Sequence, residues 1–239
     1  MGFCVRIANK TILIESSNTS LENMCNDYLV EAFGRPDIEI HINDALLKKE
    51  FTRAKQFNTE IYRPSSVEGR LIHRIIAEAL LDYDVVLMHG AVVAVENSAY
   101  MFTGKSGTGK TTHIQKWLAN AEGSIVINGD KPFLICQDDG TFVCGNPWRG
   151  KEHLGVNLIV PLRSIVIMER GDKNHIEQIS FKSAFPKLLE QTYQPSEADK
   201  MRKTLKLLLR LTNNVSFYKF VFDNFQEDAF EISYNALIK

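Results

Sequence analysis

Several marks that would assign a function directly are missing from this sequence. Its four cysteines, Cys4, Cys25, Cys136 and Cys144, form no C-x-x-C pair, so neither a zinc site nor a thioredoxin-like redox motif is indicated. No long hydrophobic run occurs. The longest, VVLMHGAVVAV from Val85 to Val95, is too short to span a bilayer and carries His89 in its middle. Charge of one sign is not in excess: 28 Lys and Arg stand against 29 Asp and Glu, for a formal charge of -1. That balance gives no electrostatic case for a nucleic-acid partner. The amino terminus, MGFCVRIANK, has no apolar block of the secretory kind, and Arg6 does not fit a myristoylation site. A cytoplasmic protein without a membrane segment is expected. Internal repeats and low-complexity tracts are also absent.

What remains is ordinary globular material: 239 residues, 44% hydrophobic and 24% charged, enough to bury a substantial core. Residues 1 to 83 alternate short strand-like and helix-like segments. VRIANKTILIE reads as one or two strands and DIEIHI as a half-buried strand. SLENMCNDYLVEAF reads as a helix capped by Ser20 and stopped at Gly34-Arg35-Pro36. Ser66 to Tyr83 carries Leu71, Ile72, Ile75, Ile76, Ala79 and Leu80 at helical spacing, with His73 beside that face as a structural histidine.

After Asp84 the texture changes to short apolar runs, VVLM, AVVAV, AYMFT, SIVIN, PFLIC, TFVCG, SIVIME and HIEQIS. These predict the strands of one mixed sheet, with Asp138-Asp139-Gly140 as a tight turn that could set Cys136 and Cys144 face to face as reduced core thiols. Helices are expected near Lys110 to Ala121, Ala184 to Gln191, Ser196 to Leu211 and Gln226 to Ile238. The third bears Lys200, Arg202, Lys203, Lys206 and Arg210, read as a solvated basic face. The expected fold class is α/β of the α+β kind, a small region of residues 1 to 83 followed by a mixed-sheet domain of residues 84 to 239.

The informative stretch is FTGKSGTGKTTHIQKW. Gly104 to Thr111 fits G-x-x-x-x-G-K-[ST], in which glycines let backbone N–H groups converge on phosphate oxygens. At average residue usage the pattern arises by chance in roughly one chain of this length in a hundred. A strand before it and an amphipathic helix after it supply the context the motif requires. Gly104, Lys105, Ser106, Gly107, Thr108 and Gly109 would cradle the phosphates and Lys110 would reach the outer ones. Thr111 would offer its hydroxyl to a magnesium ion, and Thr112 completes the set. No N-K-x-D guanine motif occurs, the nearest match being Asn9-Lys10-Thr11-Ile12, so ATP is the expected nucleotide. The acid that should stand beside magnesium or the attacking hydroxyl is Asp130, in SIVINGDK, twenty residues after Lys110. Asp138 and Asp139 compete, but they sit in a turn where Asp has an ordinary structural task. Arg149 and Lys151 bracket Gly150 and form a basic loop that could stabilise charge on a transferring phosphoryl group, or simply a surface turn over Trp148.

His89-Gly90 ahead of one strand, a second strand running into Gly104 fifteen residues after His89, and Asp130 beyond give a layout that resembles the catalytic domain of HPr kinase/phosphorylase. The resemblance covers about residues 84 to 180. It implies a mostly β core related to phosphoenolpyruvate carboxykinases and transfer of the ATP γ-phosphoryl group to a serine hydroxyl. It places His89 near the phosphates, Lys110 and Thr111 as the loop pair, and Asp130 as base or magnesium-shell acid. Gly129 stands where HPr kinases have a first of two Asp residues, and Thr112 where they commonly have Glu. INGDKP and Pro147-Trp148-Arg149-Gly150-Lys151-Glu152 are similar to segments of the short, stand-alone relatives of those kinases. The resemblance therefore implies a magnesium-dependent kinase acting on a peptide or protein serine, and self-association, since HPr kinases form rings. The alternatives are a carboxykinase-type reaction on a small acid and a nucleotide-gated module that docks a peptide without transfer.

Overall fold

Ala8 and Asn9 both take left-handed backbone angles, φ 52° and 60°. That pairing twists the chain in the sense two antiparallel strands need, so β1 (Gly2–Ile7) and β2 (Lys10–Glu15) close as a two-residue hairpin. The computed structural model describes residues 2–16, 18–31, 34–57, 64–223 and 226–238. Two compact units divide at one peptide bond, Met1–Tyr83 and Asp84–Lys239.

In the first unit, helix α1 (Thr19–Met24) ends well short of the expected Phe33. Asn18, not Ser20, is its cap: its side-chain oxygen accepts from the N–H groups of Ser20 and Leu21. The helix gives way at the buried Cys25 to a 3-10 turn over Asn26–Tyr28. Strand β3 (Ile38–His41) adds to β2 in parallel, giving the order β1-β2-β3. Helix α2 (Asp44–Phe57) was not foreseen, because its charged sequence shows little apolar periodicity. Helix α3 (Pro64–Leu80) buries Val67, Leu71, Ile72, Ile76 and Leu80 at helical spacing, and a 3-10 turn carries the chain to Tyr83.

Among the described residues the second unit is built on nine strands: β4 (Val85–Leu87), β5 (Ala91–Val95), β6 (Ser98–Thr103), β7 (Ile125–Asn128), β8 (Phe133–Cys136), β9 (Thr141–Cys144), β10 (Ile159–Arg170), β11 (His175–Ile179) and β12 (Ser216–Phe222). Its helices are α4 (Lys110–Asn120), α5 (Phe181–Gln191), α6 (Ala198–Arg210) and α7 (Ala229–Ile238). One path through the sheet runs β4-β8-β9-β10-β6-β5-β7. The long β10 joins two halves: its start, Ile159–Pro161, is antiparallel to β9, while its later residues run parallel to β6 on one side and β12 on the other. The register shifts between Leu162 and Ser164, where the ladder passes from one partner set to the next. β10 therefore begins five residues before the predicted SIVIME, because Pro161, which lacks an N–H, ends the pairing with β9 instead of breaking the strand.

Strand β12 was missed altogether, although SFYKFVF is rich in the aromatic residues strands favour. It pairs with both β10 and β11. Cys136 and Cys144 are not opposite one another: the turn Gln137–Gly140 pairs Cys136 with Thr141 and Cys144 with Phe133. Both are buried and neither is in a disulfide, and burial pushes the Cys136 thiol up to about 12. Helix α5 starts at Phe181 under a Ser180 cap, earlier than expected, and α7 starts later, at Ala229. On α6 the basic face is only partly a solvated one, since Arg210 reaches Asp84 at 3.1 Å and the Cys136 carbonyl at 3.1 Å. Among the described residues, no helix is long and apolar enough to cross a membrane.

Helix α4 is anchored from behind. Trp117 is fully buried, and its indole N–H donates to Ser233 Oγ and His113 Nε2, both at 3.1 Å. His113 lies among the rings of Phe102, Phe220 and Phe222, at centroid distances of 4.7, 5.0 and 5.4 Å. Burial, and then Lys116, push its pKa down to about 3. The unfolded chain, titrating near 6.5, takes a proton that the folded chain refuses, so this histidine's share of stability is intact above that pH and is lost as pH falls toward 3. Urea midpoints measured between pH 6.5 and 5 are expected to show it. In His113→Phe the decline with falling pH should be shallower than in the parent, by up to about 1.4 kcal/mol per pH unit.

Candidate functional site

Between β6 and α4 the chain makes a glycine-rich loop, Gly104–Gly109. Thr103, fully buried, fixes its entry by donating from Oγ1 to the His89 carbonyl at 2.7 Å. Two of its glycines are required by space as well as by backbone angle. At Gly104, φ is 151° and a Cβ would stand 2.6 Å from the Met168 carbonyl oxygen. At Gly109, φ is 100° and a Cβ would stand 2.4 Å from the Phe222 ring. Gly107 (φ 81°) has nothing within 4 Å of that position. Gly109→Ala is therefore expected to lower unfolding stability by about 2–4 kcal/mol, and Gly107→Ala by only about 1 kcal/mol, in urea melts of the two variants side by side.

Lys110, the first residue of α4, folds back into the loop. Its Nζ donates to the carbonyls of Gly104 at 2.8 Å and Lys105 at 3.0 Å, and the residue is only 8% exposed. Burial lowers its pKa while the charge of Asp130 pulls the other way. Thr108 Oγ1 donates to the same Lys105 carbonyl at 2.9 Å. Lys105 and Ser106 are exposed at the crest, and Thr111 and Thr112 are half-buried on the first turn of α4, where the helix N-terminus presents unpaired N–H groups.

Asp130 lies two residues beyond β7, in a turn rather than at the strand end itself. Its backbone is held at both ends: its N–H donates to Asn128 Oδ1 at 2.9 Å and its carbonyl accepts from Gly90 at 2.8 Å. The fully buried Asn128 also accepts from the N–H of Lys131 at 2.7 Å and donates to the carbonyls of Asn146 and Trp148. Asn146, equally buried, donates back to the Lys131 carbonyl at 2.6 Å and accepts from Trp148 N–H at 2.9 Å. The two amides thus join the Asp130 turn to the segment that carries Arg149, and Gly150 (φ 79°) is packed so closely that a Cβ there would stand 2.9 Å from Asp130 Cβ.

His89 falls in the connection between β4 and β5, not within a strand. Its Nδ1 donates to Gln191 Oε1 at 2.9 Å, and its own N–H donates to the Gln191 carbonyl at 2.8 Å. That leaves the Nε2 lone pair facing Asp130 Oδ1 across 3.6 Å. Burial holds the His89 pKa below its ordinary value, with Lys110 and Lys131 acting in the same sense against Gln191 and Asp130. That lowering favours the neutral imidazole, and the gap between two acceptors is suited to a group that donates, such as a hydroxyl.

The structure thus brings Lys110, His89 and Asp130 together beside the loop. Lys131 joins them, its Nζ 3.7 Å from Asp130 Oδ2. The half-buried Arg149 runs its side-chain stem along Gly155, 3.3 Å from where a Cβ would lie there, and Lys151 is exposed. Gln191 and the two asparagines were not singled out from sequence: Gln191 is the last residue of α5, 102 positions from His89, and nothing local marks it. Two cavities adjoin the loop. One of about 570 Å³ is lined by Gly104–Thr108, the end of β10 and, from α5, Lys187 and Gln191. The other, about 320 Å³, is lined by Thr108, Gly109, Thr112, Asp172, Phe222 and Asp223; Arg170 borders both.

The residues suit a magnesium nucleotide. The half-buried Thr111 hydroxyl and the Asp130 carboxylate are hard oxygen donors, and a largely desolvated ammonium stands in a glycine loop with carbonyls as its hydrogen-bond partners. Among the described residues, no three of His, Cys, Asp and Glu group as a metal site, and a magnesium ion carried on phosphates needs few protein ligands.

No family model matches the sequence, and no curated protein matches it. Among solved structures, the Hpr(Ser) kinase/phosphatase from Coxiella burnetii is similar over 63% of this chain and 89% of that chain, at 10% identity and a TM-score of 0.37. That is a distant likeness of fold, and nothing about residues or reaction follows from it.

Proposed function

We propose that this protein is an ATP-dependent kinase that transfers the γ-phosphoryl group to a hydroxyl, that of a serine in a peptide or protein. The observation that carries the reading is the grouping of Lys110, His89 and Asp130 at a glycine loop that opens a helix. Loop and helix N–H groups would hold the phosphates, and Lys110 would neutralise the outer ones. Magnesium, held by Thr111 and Asp130, would supply charge neutralisation across the same oxygens. The acceptor hydroxyl would enter between His89 Nε2 and Asp130, which orient it and take its proton. Its oxygen bonds to the γ-phosphorus as the bond to the bridging oxygen breaks, giving a phosphoserine and ADP. Such a reaction depends chiefly on positioning and charge stabilisation, which these residues provide.

The test is incubation with γ-labelled ATP, magnesium and serine-containing peptides. Label on serine supports the kinase. Tight ATP binding with no transfer to any acceptor would instead favour a module that binds nucleotide and partner without chemistry.

A further inference from the structure

Accepting the kinase reading, on which this inference rests, the two cavities at the loop cannot both serve the nucleotide in the same way. A nucleotide lies along such a loop in a fixed direction, its outer phosphates by the lysine and the start of the loop, its inner ones toward the residues that follow the lysine. The smaller cavity, with Thr112 and with the carboxylates of Asp172 and Asp223, lies at the inner end. Carboxylates there would accept hydrogen bonds from ribose hydroxyls. The larger cavity lies at the outer end: Gly104 and Lys105, whose carbonyls hold Lys110, line it, and so does Gln191, which holds His89 beside Asp130. On that reading, a hydroxyl would reach the γ-phosphate from this side.

The charges of that larger cavity are unbalanced. Lys105, Arg170 and Lys187 line it against Glu169 alone, and Glu169 is paired with Lys219 at 3.1 Å. Among the described residues Lys105 and Arg170 make no ion pair, while Lys187 shares Glu190 at 3.3 Å, with both side chains more than 40% exposed. The floor is apolar, from the buried Ile167 and Met168. A volume of about 570 Å³ takes a few side chains, not a protein surface. We infer that the acceptor serine sits in a short acidic segment, whose carboxylates are received by Arg170 and Lys187 while its hydroxyl points to His89 and Asp130.

The experiment compares two serine peptides, identical except that Asp and Glu around the serine are replaced by Asn and Gln, together with free L-serine, at saturating magnesium-ATP. The acidic peptide is expected to show an acceptor KM lower by about tenfold, a preference that shrinks as salt is raised. Lys187→Glu alters only the larger cavity, on an exposed helix face, and should abolish that preference while leaving the KM for ATP within about twofold. Transfer to both peptides alike overturns the inference and leaves the kinase standing; so does a Lys187→Glu variant that keeps the preference or changes the KM for ATP instead. L-serine accepted as well as the acidic peptide overturns the peptide segment. With no transfer at all the kinase reading fails, and binding of the labelled peptides in the presence of a non-hydrolysable ATP analogue then decides: equal affinity for both peptides overturns the acidic pocket as well.

Discussion

Lys110→Met is expected to weaken magnesium-ATP binding by at least about a hundredfold, or about 2.7 kcal/mol, while leaving thermal stability nearly unchanged. The two halves of this expectation have one cause. An ammonium has three donors, and in this chain two are taken by the carbonyls of Gly104 and Lys105, at the cost of removing most of the charge from water. Methionine retains much of the stem's packing and removes that cost together with the two hydrogen bonds, so the folded state neither gains nor loses much. A bound triphosphate, by contrast, loses a buried cation at the loop. Calorimetric titration of magnesium-ATP and melting curves of the same samples separate the two effects. Parental affinity in the variant would falsify the assignment of this loop to a nucleotide.

Asp130→Asn should reduce phosphoryl transfer by about 10²–10⁴-fold with nucleotide binding within a few-fold of the parent. The substitution is unusually clean. The turn is held through the backbone of Asp130, by Asn128 and Gly90, and among the described residues its carboxylate makes only long approaches, 3.6 Å to His89 and 3.7 Å to Lys131. An amide fills the same space and leaves those anchors in place, but it cannot take a proton. Single-turnover transfer and equilibrium binding should be measured together. Undiminished transfer removes Asp130 from the chemistry, whereas binding that collapses along with transfer makes its hold on magnesium, and not proton transfer, the source of the loss.

How much could be read from the chain alone depended on the range of the signal. The glycine loop was legible because every requirement lies within eight residues, and its strand and helix flank it directly. The strands from Val85 to Ile179 were legible for the same reason, as apolar runs between turn residues. Helix α2 was not, since its charged face hides the periodicity, and β12 was overlooked although its aromatics were in plain view. The register of Cys136 and Cys144 needed the length of one turn. His89 and Asp130 could be named as candidates, but their partners could not. Gln191 meets His89 across 102 residues, Asn128 meets Asp130 across two and Asn146 meets the neighbouring Lys131 across fifteen, and an amide side chain carries no local signature of the bond it will make.

The fastening of the Asp130 turn has a consequence for measurements of rate. Asn128 and Asn146 secure it with buried, uncharged amides, and Gly90 with a peptide bond, none of which titrates or is screened by salt. The acid's location is therefore constant across the range of buffers in which an assay is run. A change of transfer rate with pH is therefore to be sought in the protonation of the substrates and of the half-buried His89, and not in a movement of this turn.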